Sequence, residues 1–178
     1  IEVIVVDHHQ AEPRLPEALA VVNPNRLDDT SAQTHLAAVG VTFLLVVALN
    51  RELRLRGWYQ NRPEPNLMQW LDLVALGTVC DVVSLTGLNR ALVKQGLKIM
   101  GSRGNAGLRA LADVANINEP PAAYHAGFLF GPRVNAGGRV GEAWLGAALL
   151  STEDSQRADE LAQRLDGYND ERRSIEAD

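Results

Sequence analysis

The chain has 178 residues, 46% hydrophobic and 22% charged, the balance of one sizeable globular domain or a large piece of one. A single cysteine, Cys80, excludes an internal disulfide and suits a reducing, cytoplasmic setting. The net charge of −5 does not mark a nucleic-acid binder, and no apolar stretch is long enough to span a bilayer.

Five of the first six residues, Ile1-Glu2-Val3-Ile4-Val5-Val6, are aliphatic. Such a run predicts a strand buried on both faces, inside a parallel α/β sheet. It is too short for a signal peptide and has no basic leader. The chain then switches abruptly to Asp7-His8-His9. Ligands of open α/β sheets gather outside the carboxyl ends of the strands. A carboxylate and two imidazoles placed there suit a divalent metal and a charged substrate. The alternative is a turn aspartate followed by two solvated histidines. The chain starts inside this strand without a methionine and stops inside a helix, so both ends read as cut.

A loop over 10–16 leads to a second short strand, Ala18 to Val22, which Asn23-Pro24-Asn25 stops. A long helix is predicted from Thr34 to Arg56. Arg51, Arg54 and Arg56 crowd its carboxyl end, and Gly57 closes it. Gly40 within it serves either close helix packing or close approach to a phosphate. After a proline-containing linker, Leu67 to Thr78 reads as a core helix. Two acids interrupt this apolar region. Asp81 has apolar neighbours on both sides, an expensive place for a carboxylate unless it is paired or metal-bound. Asp72, nine residues earlier, does not share its helix face. Cys80 reads as a small core residue.

Asn89 to Met100 is a second amphipathic helix with Arg90, Lys94 and Lys98 in a row along one side. From Val82 to Gly141, seven basic residues face only Asp113 and Glu119, a local +5 inside an acidic protein. The row is a candidate contact for a nucleic-acid backbone, or else a solvated helix face. Gly107 to Ala115 is a third short helix, and Ala122 to Phe130 is helical. The chain then enters Gly131-Pro132-Arg133-Val134-Asn135-Ala136-Gly137-Gly138-Arg139, where glycines and a proline shape the backbone around two arginines and an asparagine. Bidentate guanidinium donors on glycine-rich backbone suit phosphate; the alternative is a turn with two surface arginines. His35 and His125 read as satisfied helix histidines. Ala143 to Leu150 is another apolar helix, and Ser151 to Asp154 has capping-box spacing. The last helix carries Ala158, Leu161, Leu165, Tyr168, Arg172 and Ile175 as one stripe. It reads as a connector, dividing the chain into a catalytic part, 1–150, and the start of a connector, 151–178; the alternative is a surface helix of the same domain.

A strand ending in Asp7-His8-His9 resembles the DHH phosphoesterase superfamily. Three further stretches are similar to its RecJ family of bacterial single-stranded-DNA-specific exonucleases: Leu36 to Val41, Leu71 to Val83 and Gly131 to Arg139. The Gly-Pro-Arg-Val-Asn segment is the most specific of these. The resemblance implies an α/β fold with a partial parallel sheet, a mostly helical remainder and a long connector helix. It also implies a two-metal site for Mn²⁺ or Mg²⁺, and 5′-to-3′ release of mononucleotides from single-stranded DNA in repair and recombination. By position, His8 and Asp81 match metal ligands, and His9 matches the histidine directed at the scissile phosphate. Asp7 is expected to orient the His8 imidazole. Arg133, Asn135 and Arg139 fall in the segment that contacts substrate phosphate. The family's Asp-x-Asp motif and a further aspartate precede the triplet and are absent here, as are its C-terminal nucleic-acid-binding domains. The metal shell is thus incomplete, and the chain alone is expected to bind metal weakly and not to cut. Expected partners are single-stranded DNA and a single-stranded-DNA-binding protein, with a monomeric, membrane-free enzyme. The alternatives are another DHH phosphoesterase (oligoribonuclease, nucleotide phosphatase or pyrophosphatase) or a binding module without chemistry.

Overall fold

The computed structural model describes residues 1–177. It is an α/β protein whose sheet is small. Strands β1 (Ile4–Val6) and β2 (Ala20–Val22) pair in parallel, with Val6 opposite Val22. This register sets Asp7 beside Asn23, so the two strands deliver their polar continuations at one edge. The expectation of a fully buried first strand is corrected. Val3 and Ile4 are half exposed, and only Val5 and Val6 sink partly inward. Among the described residues β1 has a single sheet neighbour, so its other edge is open.

Helix α1 (Ala38–Leu55) starts four residues later than predicted. The carbonyls of Thr34 and His35 accept instead from side-chain amides, of Asn25 at 3.0 Å and Asn89 at 2.6 Å, contacts that hold the backbone before Ala38 in a non-helical course. Gly57 at φ +72° closes the helix as expected. A 3₁₀ turn (Leu67–Trp70) with Asn66 as its cap precedes α2 (Leu71–Cys80). The predicted core helix is therefore a turn plus a helix. Helix α3 (Gly87–Gly101) lies directly on α2, because a Cβ at Gly96 would collide with the carbonyl of Leu71. Leu71, Val74 and Leu92 form a small core there, with Val39 and Phe43 of α1 against it.

The larger core lies beyond α2. It gathers Leu76, Leu111, Phe130, Leu149, Leu161 and Leu165, five of which are fully buried. Helix α4 (Ala106–Val114) and a π-helical turn (His125–Phe130) build one side. The turn runs without a break into α5 (Gly131–Val140), followed by α6 (Leu145–Ser151) and α7 (Ser155–Ala177). Residues 131–139, where glycines and a proline are expected to shape the backbone, form a helix and not the alternative turn. Pro132 lies just past the junction with the π-helical turn, and packing outweighs both its missing N–H and the glycines. The N-cap of α7 is Asp154, whose carboxylate accepts from the Arg157 N–H at 3.1 Å, in place of the expected Ser151 box. Helix α7 packs on α4, α5 and α6, and Ala158, Leu161 and Leu165 are fully buried. Its apolar stripe ends there, since Tyr168 is half-buried and Ile175 is exposed.

Candidate metal and phosphate site

Asp7 sits at the carboxyl end of β1, and its Oδ1 gathers three donors. They are the His8 N–H at 2.7 Å, the His9 N–H at 3.3 Å and the His9 ring Nδ1 at 2.7 Å. These interactions, the ring hydrogen bond first, hold the carboxyl below its ordinary pKa, so Asp7 is an anion that fixes the loop. With Nδ1–H donated to Asp7, the Nε2 of His9 is left free on the solvent side. The carboxylate expected on the His8 ring is thus on the His9 ring.

The His8 ring turns the other way. Its Nε2 lies 3.3 Å from Asp81 Oδ2, with the imidazole side chain 14% and the carboxylate 34% exposed. Asp81 is the residue that ends α2. Val82 after it stands at φ +59°, a left-handed conformation that a β-branched residue rarely takes. That reversal ends the helix just where the carboxylate meets the strand edge.

Two side chains that sequence reading took only for a strand stop hold this loop in place. Asn23 donates to the His9 carbonyl at 2.9 Å, and Asn25 donates to the His8 carbonyl at 2.6 Å. Asn25 also reaches Thr34, so one amide ties the β1 loop to the entry of α1. The available signal was position: Asn-Pro-Asn follows a strand parallel to β1 and therefore sits at the same edge.

Asp81 also lines a cleft of about 750 Å³ between helices α2, α5 and α6, which Arg172 of α7 also lines. Asn135, Arg139 and Arg172 are its other polar walls. On a helix, Asn135 and Arg139 are four residues apart and share a face. The Asn135 amide oxygen, in the orientation that satisfies both groups, accepts from Arg139 Nε at 3.0 Å and Nη2 at 3.3 Å. Arg133 falls on another face and does not line the cleft. Its Nε donates to Asp166 at 2.8 Å and its Nη1 to the Leu129 carbonyl at 2.9 Å. The three residues expected to act together are thus divided, two at the cleft and one in a structural ion pair.

Arg90, Lys94 and Lys98 stand exposed on α3, as their spacing predicts, and do not line the cleft. Asp72 lines a different cleft, beside Trp70 and Ser102. His125 is satisfied, accepting from the Ala122 N–H and meeting Glu119 at 2.9 Å. His35 is not, since its buried Nε2 finds no partner among the described residues.

A cation about 2.1 Å from an imidazole nitrogen and a carboxylate oxygen sets adjacent ligands roughly 3 to 3.5 Å apart. His8 and Asp81, at 3.3 Å, meet that spacing. Among the described residues no group of three or more His, Cys, Asp or Glu side chains gathers around one point. The pair is therefore two donors of a shell and not a whole one. No helix among the described residues is long and apolar enough to cross a membrane.

The family model "DHH family, N-terminal domain" matches residues 1–78. The single-stranded-DNA-specific exonuclease RecJ of Dickeya dadantii is 46% identical over 181 residues, covering 99% of this chain and 31% of that protein. RecJ of Escherichia coli is 45% identical over 180 residues, with the same coverage. A crystal structure of exonuclease RecJ bound to manganese superposes with a TM-score of 0.83 at 37% identity, over 99% of this chain and 42% of that one. RecJ from Thermus thermophilus in complex with Mn²⁺ gives a TM-score of 0.82 and 25% coverage of that chain. The chain spans about a third of the length of the curated relatives it matches, 31% for the first two. Residues 1–78 thus resemble the DHH family, and along nearly its whole length the chain is similar to one part of the RecJ exonucleases.

Proposed function

We propose that this chain carries part of the metal site and the phosphate-binding cleft of a metal-dependent single-stranded-DNA exonuclease. It uses Mn²⁺ or Mg²⁺ and releases mononucleotides from the 5′ end, in DNA repair and recombination. The observation that carries the reading is the approach of His8 to Asp81, beside the cleft that Asn135 and Arg139 line.

His8 and Asp81 are the residues that would hold the cation. When bound, a divalent cation supplies a nucleophilic water at neutral pH and neutralises charge on the phosphoryl oxygens. The other roles belong to the chain itself. Asp7 fixes the ring of His9, leaving Nε2 open toward a substrate phosphate. Asn135 orients the Arg139 guanidinium, which offers paired donors to a phosphate in the cleft. Arg90, Lys94 and Lys98 are a second, outer surface for the strand backbone. Single-stranded DNA is the substrate, a single-stranded-DNA-binding protein is the partner the resemblance implies, and a monomer in the cytoplasm is the setting.

Two donors fall short of the six that Mg²⁺ takes, so activity is a property of the full-length protein. There, His8→Ala and Asp81→Asn should each lower Mn²⁺-dependent release of nucleotides from 5′-labelled single strands by about a thousandfold, the scale of several kcal/mol of lost charge stabilisation. Undiminished release by Asp81→Asn would overturn the reading.

A further inference from the structure

The stripe on α7 has one charged member, Arg172. After Leu165 the inward-facing positions are Tyr168, Asn169 and Arg172, so a guanidinium stands where α7 leaves the core and enters the cleft. Its side chain is only 20% exposed. Nη1 donates to both carboxylate oxygens of Glu176 at 2.7 Å, and Nη2 donates to Asn169 at 3.2 Å. Nε is buried and has no partner among the described residues. A buried N–H left unpaired is costly, and such donors persist where something else fills them. The Glu176 pair is half exposed on the acid side, which makes it a weak hold on the arginine.

We propose that Arg172 is an anion-binding residue of the cleft, taking a backbone phosphate of the bound single strand opposite Arg139, with Glu176 as a competing internal anion. The proposal rests on the reading of the cleft as the strand-binding site. It assigns α7 a role in gripping substrate in addition to packing.

The test uses the full-length protein and an oligo-dT strand in EDTA, so that nothing is cut, with affinity measured across a salt series. Every single-strand phosphate that a cationic side chain no longer neutralises lowers the slope of log affinity against log salt by about 0.7. Arg172→Gln is expected to lower it by that amount, and Arg172→Lys to keep it. Glu176→Gln, which frees the guanidinium without touching it, is expected to tighten binding by up to about fivefold, the worth of an exposed ion pair. If Arg139→Gln lowers the slope while Arg172→Gln and Glu176→Gln change nothing, the proposal fails and the cleft reading stands. If none of the three moves the slope, the cleft reading fails with it.

Discussion

Arg133 Nε donates to Asp166 Oδ1 at 2.8 Å, and the bond ties α5 to α7 across the edge of the larger core. Arg139, six residues on, is exposed in the cleft. The same residue type in one short helix thus does two jobs. Arg133→Gln should destabilise the protein by about 2 kcal/mol, since it leaves a half-buried carboxylate and the Leu129 carbonyl without their donor. Arg139→Gln should change stability by less than about 0.5 kcal/mol and act on DNA affinity alone. Thermal melting beside a binding titration separates the two.

Asn25 spans two segments, donating to His8 O and Thr34 O. Asn25→Ala leaves both carbonyls short of a partner and should cost about 1–3 kcal/mol. Mn²⁺ affinity of the full-length protein should fall with it, because the His8 backbone loses its clamp. Asn25→Asp should be no better than alanine, since it sets a negative charge against two carbonyl oxygens. A melting temperature equal to wild type in both variants would show that the clamp is idle.

Val82 holds φ +59° immediately after Asp81 and is exposed on the side-chain side. The left-handed conformation costs an L residue about 1–2 kcal/mol, and glycine avoids that cost while losing more chain entropy on folding. Val82→Gly is expected to raise stability by roughly 0.5–1 kcal/mol, read as a higher unfolding midpoint. Val82→Ala keeps the Cβ and should gain much less.

Asp72 is 3% exposed, and burial raises its pKa above the ordinary 3.8. A group whose pKa is higher folded than unfolded favours the native state most when protonated. Its contribution is therefore whole below about pH 4 and is lost as pH rises through the folded-state value. Asp72→Asn removes a charge that burial disfavours, so at pH 7 it should melt a few degrees above wild type, with the gap closing toward pH 4. A gap that is constant with pH would mean that the carboxylate is not the cause.

The sequence by itself determined the elements and the chemical types at the site. The β-branched opening run, the amphipathic spacing in α3 and the cap at Gly57 are local signals, because backbone preference and burial period act over a few residues. The same locality made Asp7-His8-His9 and Asp81 stand out, as polar groups where apolar ones surround them. Tertiary structure alone decided which of them meet. His8 turns to Asp81 and His9 to Asp7 because the parallel pairing with β2, the Asn25 clamp and the end of α2 converge on one edge. It also decided that residues 131–139 form a helix, which sends Arg133 to Asp166 and leaves Asn135 and Arg139 facing the cleft. Glycine-rich local preference disfavours a helix, but packing against α6 and α7 outweighs it, and that energy comes from residues that are distant in the chain.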